Sequence, residues 1–335
     1  MAKIAINGFG RIGRQTLKAA WGKRGFQVVA INDLTDARTL AHLLKYDTNY
    51  GHWPVSVKAV GDYLVIGGKK IPVLSERNPE NLPWKKLKVD VVIESTGIFS
   101  TPEKASAHLH AGAKKVVLSA PDKEGKMPTY VLGVNEYNIK KETSKMISNA
   151  SCTTNCVAPV SAIMNKEFGV KKALLTTIHG YTATQNLVDG PHKDLRRARA
   201  AAVNMIPTTT GAAAATGRVL PDLQNKFDGL AIRVPLPTVS LSDITFLIAR
   251  KTTVEEVNNV FRKVAKSTAY KGIVAVSEDP LVSSDFIGNS HSAIIDLALT
   301  RVVDGDLVKI VAWYDNEWGY SNRLAELVLM LAKRK

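Results

Sequence analysis

Apolar and polar positions follow two different rhythms along this chain of 335 residues. In the first half, apolar runs of strand length alternate with stretches of helical period: a strand at Lys3-Ile4-Ala5-Ile6, a helix over 11–21, a strand over 26–32 and a helix over 36–46. Short strands near 55–60 and 63–74, another over 89–95, a helix over 101–111 and a strand over 115–119 continue the alternation. Such a pattern predicts βαβ units wound on a parallel sheet. From residue 152 the rhythm changes. A helical run begins there, longer strands follow over 173–179, 230–234, 240–249 and 307–314, and one amphipathic helix spans 253–265. The second half therefore reads as a mixed α+β domain. A chain of this length exceeds the roughly 250–300 residues that one core usually serves, so two domains are expected. Residues 181–204 form a long polar stretch without strand character, and such loops in compact domains are usually functional. The alanine-rich stretch 211–217 reads as a packed helix, and no internal repeat is present.

The first strand runs into Asn7-Gly8-Phe9-Gly10-Arg11-Ile12-Gly13-Arg14, a G-x-G-x-x-G turn opening a helix. Gly8 permits the tight turn, Gly10 lets the backbone approach a pyrophosphate, and Gly13 lets the helix pack on the strand. The second strand ends at Asp33, twenty residues beyond Gly13, where an acid can accept hydrogen bonds from an adenosine ribose. Strand, turn, helix and acid together predict a doubly wound (Rossmann) dinucleotide-binding domain.

Only two cysteines occur, Cys152 and Cys156, four residues apart. Ser151 is a good N-cap for the run that starts at Cys152, which puts the thiol in a first helical turn where unpaired N–H groups favour an anion. That environment predicts a lowered pKa and a nucleophilic thiolate, with His179 as a base. Taken alone, the segment reads equally well as a buried core cysteine. Neither C-x-x-C nor H-E-x-x-H spacing occurs, so free thiols and no metal are expected.

The net charge of +15 falls mostly in the first 150 residues, which carry ten of the fifteen. A basic surface steers anionic ligands and also promotes nonspecific nucleic-acid binding. The lysines are scattered, without an RNA-recognition signature or zinc-finger spacing, so no specific nucleic acid is expected. No apolar run approaches ~18 residues and no export leader is apparent, so no membrane insertion is expected and the cytoplasm is the expected location. Anion-binding candidates cluster in the second half: Thr182 and Thr184, Arg197, Thr208-Thr209-Thr210-Gly211 and Arg233. Hydroxyls, a glycine-adjacent backbone and guanidinium forks are groups that bind phosphate. Beside a dinucleotide fold and a Cys/His pair they suggest a phosphorylated aldehyde substrate.

These segments, with Ser148-Asn149-Ala150-Ser151-Cys152-Thr153-Thr154-Asn155-Cys156, His179-Gly180-Tyr181-Thr182, Pro207-Thr208-Thr209-Thr210-Gly211-Ala212-Ala213, Arg233-Val234-Pro235 and Trp313-Tyr314-Asp315-Asn316-Glu317, carry a resemblance from end to end. The chain resembles the phosphorylating glyceraldehyde-3-phosphate dehydrogenases. The resemblance implies an NAD-binding domain over 1–151 and a catalytic domain over 152–316 that includes the loop 181–204. The C-terminal helix, 320–333 within the segment 317–335, would return to the first domain. Cys152 would be the nucleophile and His179 its base. Thr182 and Arg233 would hold the substrate phosphate, Ser151, Thr153, Thr210 and Gly211 the inorganic phosphate, and Arg197 both. For NAD, Arg11 and Ile12 would contact the pyrophosphate through their backbone between Gly8, Gly10 and Gly13. Asp33 would take the ribose, Arg77 and Ser119 would lie nearby, and Asn316 would hold the nicotinamide amide. A homotetramer acting on glyceraldehyde 3-phosphate and inorganic phosphate in glycolysis or gluconeogenesis is implied as well. Three other readings compete: a sister dehydrogenase acting on erythrose 4-phosphate, a basic binding protein on an enzyme scaffold, and a redox sensor built on Cys152 and Cys156.

Overall fold

The computed structural model describes residues 1–334, which group into two compact units. The first contains Met1–Tyr130, Tyr137–Ala150 and the chain from Ser321 on; the second contains Val131–Glu136 and Ser151–Tyr320.

An eight-stranded sheet forms the first unit, in the order Met146–Ser148, Lys115–Leu118, Val91–Glu94, Ala2–Asn7, Phe26–Asn32, Lys69–Leu74, Tyr63–Ile66, Val57–Val60. The first six are parallel and the last three are joined antiparallel. Val91–Glu94 is buried at all four positions, as expected of a central parallel strand covered on both faces. The strand order reverses between Ala2–Asn7 and Val91–Glu94, and ligands of doubly wound sheets bind beyond the carboxyl ends of strands at such a reversal.

Two elements differ from their sequence reading. The strand over 63–74 is a hairpin, because Gly67 and Gly68 take φ of 51° and 80°, values that turn the chain between Tyr63–Ile66 and Lys69–Leu74. The helix over 101–111 is two short helices, Pro102–Ala105 and Ala107–His110. At the break the Ser106 hydroxyl donates to the Glu103 carbonyl at 2.6 Å, a local bond that competes with the helical ladder.

The second unit is built on a mixed sheet. Its path runs Ile206–Thr209, Phe227–Val234, Val170–Gly180, Ser240–Ile248, Leu307–Tyr314, Ala293–Asp296, Val274–Ser277, with Arg301–Val303 added against Leu307–Tyr314. The helix Cys152–Phe168 is capped by Ser151, whose hydroxyl oxygen accepts from the Thr154 N–H at 3.0 Å. Residues 181–204 carry only the single 3₁₀ turn Ala201–Val203. The register of the central strands matters most here. Arg233 pairs with His179, His179 with Ser240, and Ser240 with Tyr314, so these four residues form one row across four neighbouring strands.

Candidate active site

In the first unit, Asn7, Gly8, Gly10, Asn32, Asp33 and Arg77 help to line a cleft of about 390 Å³ at the reversal point. Gly8 has φ of 87°, and a Cβ there would lie 2.6 Å from the Thr96 amide nitrogen; a Cβ on Gly13 would lie 2.3 Å from the Gly8 carbonyl oxygen. These two glycines are demanded by close backbone packing. At Gly10 a Cβ would meet nothing within 4 Å, so this position borders open space above the helix Arg11–Ala20. Asp33 accepts from the Phe9 N–H at 2.7 Å through one oxygen and from the Thr35 N–H at 2.9 Å through the other. The carboxylate thus braces the glycine turn, and each of its oxygens keeps a further lone pair for a ligand. Arg11 turns its guanidinium to Asp47 at 2.7 Å, which leaves its backbone to serve the turn. Ser119 does not line this cleft; its N–H is bonded to the Glu94 carbonyl at 2.9 Å.

In the second unit, Cys152 Sγ lies 3.4 Å from His179 Nε2, within hydrogen-bond reach for a sulfur. The helix supplies the cysteine and the sheet supplies the histidine. On the far side of the ring, His179 Nδ1 is 2.6 Å from the Gly180 carbonyl oxygen and 2.8 Å from Arg233 Nη1. Tyr314 crosses the imidazole edge-on, with ring centroids 6.1 Å apart. Its hydroxyl bonds to Thr153 Oγ1 at 3.0 Å and to Thr177 Oγ1 at 2.9 Å.

Two guanidinium groups face this pair. Arg233 donates to the Gly180 carbonyl at 3.0 Å, while its buried Nε has no partner. Arg197 donates from Nε to Thr208 Oγ1 at 2.9 Å and from Nη2 to the Thr209 carbonyl at 3.3 Å, with Asp194 3.7 Å away. Burial depresses the Arg233 pKa, and the charge of Arg197 adds to the effect. A site with two cations, only one of them beside a carboxylate, and an orphaned guanidinium N–H is suited to anions. Thr182 bonds to Thr184 through their hydroxyls at 2.9 Å, and Thr210 accepts from the Ala212 N–H at 3.2 Å. Asn316 accepts from the Ser240 hydroxyl at 3.0 Å, which leaves its amide hydrogens as what it can offer a ligand.

Comparison with known proteins gives the same outline. Residues 2–102 match the family model described as glyceraldehyde 3-phosphate dehydrogenase, NAD binding domain, and residues 151–316 match its C-terminal domain. Glyceraldehyde-3-phosphate dehydrogenase of Borreliella burgdorferi is 51% identical over 337 residues, covering 99% of this chain and 100% of that protein. The protein of the same name from Geobacillus stearothermophilus is 51% identical over 332 residues, covering 99% and 98%. Glyceraldehyde-3-phosphate dehydrogenase 2 of Bacillus subtilis is 50% identical over 332 residues, covering 99% and 97%. The chain belongs to the glyceraldehyde-3-phosphate dehydrogenase family.

For a member of this family, burial works against one expectation. The N-terminal turn of the helix was expected to hold Cys152 as a low-pKa thiolate, yet burial pushes the thiol up, and the opposing pull of Arg233, the Thr153 hydroxyl and the backbone N–H groups is smaller. Burial, with Arg233 second, drives the His179 pKa down to about 3.

Several contributors were not singled out from sequence. Tyr314 lies inside a quoted motif and Thr177 in the strand expected over 173–179, but only the sheet register shows that they join Thr153 behind the reacting pair. Ser240 buttresses both Gly180 and Asn316. In the first unit, the buried Glu94 accepts from Asn7 Nδ2 at 2.6 Å and from the Thr96 N–H at 2.8 Å, with His108 Nε2 at 2.9 Å. Trp84 can only donate, so its bond to His108 Nδ1 at 3.0 Å fixes Nε2–H toward Glu94. Nothing in the local sequence marks these partners, since the fold alone brings them together. Among the described residues no group of three or more His, Cys, Asp or Glu is arranged to hold a metal, and no helix is long and apolar enough to cross a membrane.

Proposed function

We propose that this chain is a phosphorylating, NAD-dependent glyceraldehyde-3-phosphate dehydrogenase. It converts D-glyceraldehyde 3-phosphate and inorganic phosphate reversibly to 1,3-bisphosphoglycerate, in glycolysis and gluconeogenesis. The observation that carries the reading is the Cys152–His179 contact at 3.4 Å beside the Arg233 and Arg197 guanidiniums, in a chain whose first unit carries a dinucleotide cleft.

The residues fit NAD: the turn at Gly8 and Gly13 admits no side chain, Gly10 opens on space, and Asp33 retains lone pairs for a ribose diol. When bound, the nicotinamide accepts a hydride. Gly8, Gly10, Arg11, Ile12 and Gly13 cradle the pyrophosphate, Asp33 holds the ribose with Arg77 beside it, Ser119 serves NAD only from outside the cleft that Asp33 lines, and Asn316 orients the amide through its N–H donors.

The sulfur of Cys152 adds to the aldehyde carbon, and the thiol proton passes to His179 Nε2. The developing oxyanion is held by two N–H donors, the Cys152 backbone amide and the imidazolium. The imidazolium returns its proton to that oxyanion, and the neutral His179 then takes the proton of the resulting hydroxyl as the hydride departs, which leaves a thioester on Cys152. Inorganic phosphate attacks that thioester, forming the acyl phosphate and releasing the thiol. Thr182 and Arg233 hold the phosphate of the substrate, Ser151, Thr153, Thr210 and Gly211 the attacking phosphate, and Arg197 serves both. The hydroxyls of Ser151 and Thr153 already have partners in Thr154 and Tyr314, so their share falls on backbone N–H groups or needs those bonds exchanged.

The chain is proposed to act as a cytoplasmic homotetramer, in which the exposed apolar side chains of Leu187, Val188 and Leu195 in the loop 181–204 meet a neighbouring subunit. The domain division is proposed at 151/152, with the C-terminal helix serving the first domain. Phosphate-dependent formation of NADH from glyceraldehyde 3-phosphate tests the reading. Cys152→Ala should abolish turnover and retain NAD binding; substantial turnover in that variant would exclude the mechanism.

A further inference from the structure

Thr208 has one hydroxyl hydrogen, and Asp194 takes it. The hydroxyl donates to Asp194 Oδ2 at 2.5 Å, so only the lone pairs of Oγ1 remain, and one of them accepts the Arg197 Nε–H at 2.9 Å. Thr208, one of the hydroxyls that the sequence offers as an anion ligand, therefore has no hydrogen left for an anion and serves Arg197 instead. Asp194 is itself held: its other oxygen, Oδ1, accepts the Arg196 N–H at 3.0 Å. The Thr208 hydroxyl keeps the Asp194 carboxyl below the usual carboxylate range, so it stays an acceptor.

This relay decides which edge of the Arg197 guanidinium faces a ligand. Of its five N–H groups, Nε–H goes to Thr208 and one on Nη2 goes to the Thr209 carbonyl at 3.3 Å. Both acceptors lie along the edge shared by Nε and Nη2, and the edge shared by Nη1 and Nη2 is left for a bidentate oxyanion. The charge of Arg197 bears on both Arg233 and His179, so the guanidinium stands beside the reacting pair. The loop 181–204 has a single 3₁₀ turn of its own, too little to fix a long side chain. Thr208 supplies the fixed point. It belongs to Ile206–Thr209, which pairs with the strand that carries Arg233: Ile206 lies opposite Arg233 and Thr208 opposite Ala231. Strand register thus sets the spacing between the two cations.

We propose that Asp194 and Thr208 are positioning residues that hold the Arg197 fork at the spacing from Arg233 that a phosphate needs, with Asp194 acting through the Thr208 hydroxyl and not as a counter-charge. This rests on the reading of Arg197 as an anion ligand and deepens it. The two roles of Asp194 differ in sign. A counter-charge 3.7 Å from Arg197 Nε competes with the anion, so its removal would tighten phosphate; the acceptor that turns the Thr208 hydroxyl supports the anion site, so its removal weakens phosphate.

The apparent phosphate affinity of the full-length protein is read from the rise in melting temperature with inorganic phosphate, against chloride at matched ionic strength. Hydrogen bonds to charged groups carry roughly one to two powers of ten in affinity, so Asp194→Ala and Thr208→Val are each expected to weaken phosphate about tenfold. Thr208→Ser keeps the hydroxyl and should bind like the parent. In an Arg197→Ala background neither Asp194→Ala nor Thr208→Val should weaken phosphate further, an outcome that general loosening of the loop would not give. Tighter or unchanged binding in Asp194→Ala overturns the proposal, as does a Thr208→Ser variant as weak as Thr208→Val, or losses that add to that of Arg197→Ala. Arg197→Ala alone tests the underlying reading: unchanged phosphate binding there removes Arg197 as a ligand and the relay with it. Weakened binding there beside unchanged binding in Asp194→Ala loses the relay and keeps the ligand. Phosphate-dependent NADH formation is measured separately, so the function stands or falls apart from both.

Discussion

Cys152 and His179 meet at 3.4 Å, one from the first turn of a helix and one from the end of a sheet strand, and burial works against the charged form of each. The balance between burial and the nearby charges therefore governs how the site responds to reagents, pH and ligands.

The two thiols should separate cleanly on alkylation. Burial raises both, but Cys156 is fully enclosed while Cys152 is only half-buried, so Cys152 reacts first. Because the Cys152 pKa lies above the ordinary thiol value, its thiolate fraction keeps growing through neutrality. Its alkylation rate should rise about tenfold per pH unit beyond pH 8. A plateau already reached at neutral pH would restore the low-pKa thiolate, and equal labelling of the two cysteines would remove Cys152 as the nucleophile.

His179→Asn should lower turnover by ~10²–10⁴-fold where chemistry limits the rate. The same histidine shapes acid stability. Its folded pKa of about 3 lies below the unfolded value near 6.5, so the neutral ring contributes stability that is present above about 6.5 and is lost as pH falls toward 3. Urea unfolding between pH 7 and pH 4 should show the stability of the parent protein, relative to His179→Asn, shrinking as pH drops. A constant difference across that range would mean that His179 is not held neutral.

Glycine replacements should split by what a Cβ would strike. Gly13→Ala forces a methyl against the Gly8 carbonyl, a backbone atom that cannot move cheaply, and should cost about 1–3 kcal/mol in stability. Gly10→Ala meets nothing, so its melting temperature should stay near that of the parent while NAD affinity falls. Calorimetry and NAD titration of the two variants check this. Undiminished NAD binding by Gly10→Ala would place the pyrophosphate elsewhere.

NAD should be strongly preferred over NADP. A 2′-phosphate at Asp33 would set two like charges together and leave the carboxylate without the ribose donors. Asp33→Ala also removes the brace on the Phe9 amide, so it should weaken NAD binding more than it improves NADP use. Comparable catalytic efficiency with both cofactors in the unmodified protein would make Arg77, which lines the same cleft, the overriding group.

What could be read ahead of the structure was whatever depends on local spacing. The glycine turn, its acid at Asp33 and the Ser151 cap each arise from residues close in sequence, and the fold class followed from the alternation of strands and helices. Short elements were harder: Ile206–Thr209 and Val274–Ser277 span four residues each and carry too little pattern to stand out. The hidden contacts were harder still. Glu94 meets Asn7 across 87 residues and Tyr314 meets Thr153 across 161, distances over which periodicity carries no information. A helix N-terminus beside Cys152 is visible in sequence, whereas the desolvation that opposes it depends on everything packed around the sulfur.

The row Arg233–His179–Ser240–Tyr314 makes the site a property of strand registration. Backbone ladders hold these four side chains abreast, so the connections between the strands can lengthen or shorten without disturbing their spacing. A single residue inserted within Val170–Gly180 would instead turn His179 to the opposite face of the sheet and leave Arg233 and Tyr314 behind. Drift in this protein should therefore be tolerated between strands and eliminated inside them, and a grafted loop is a safer place to engineer new behaviour than any position along those four strands.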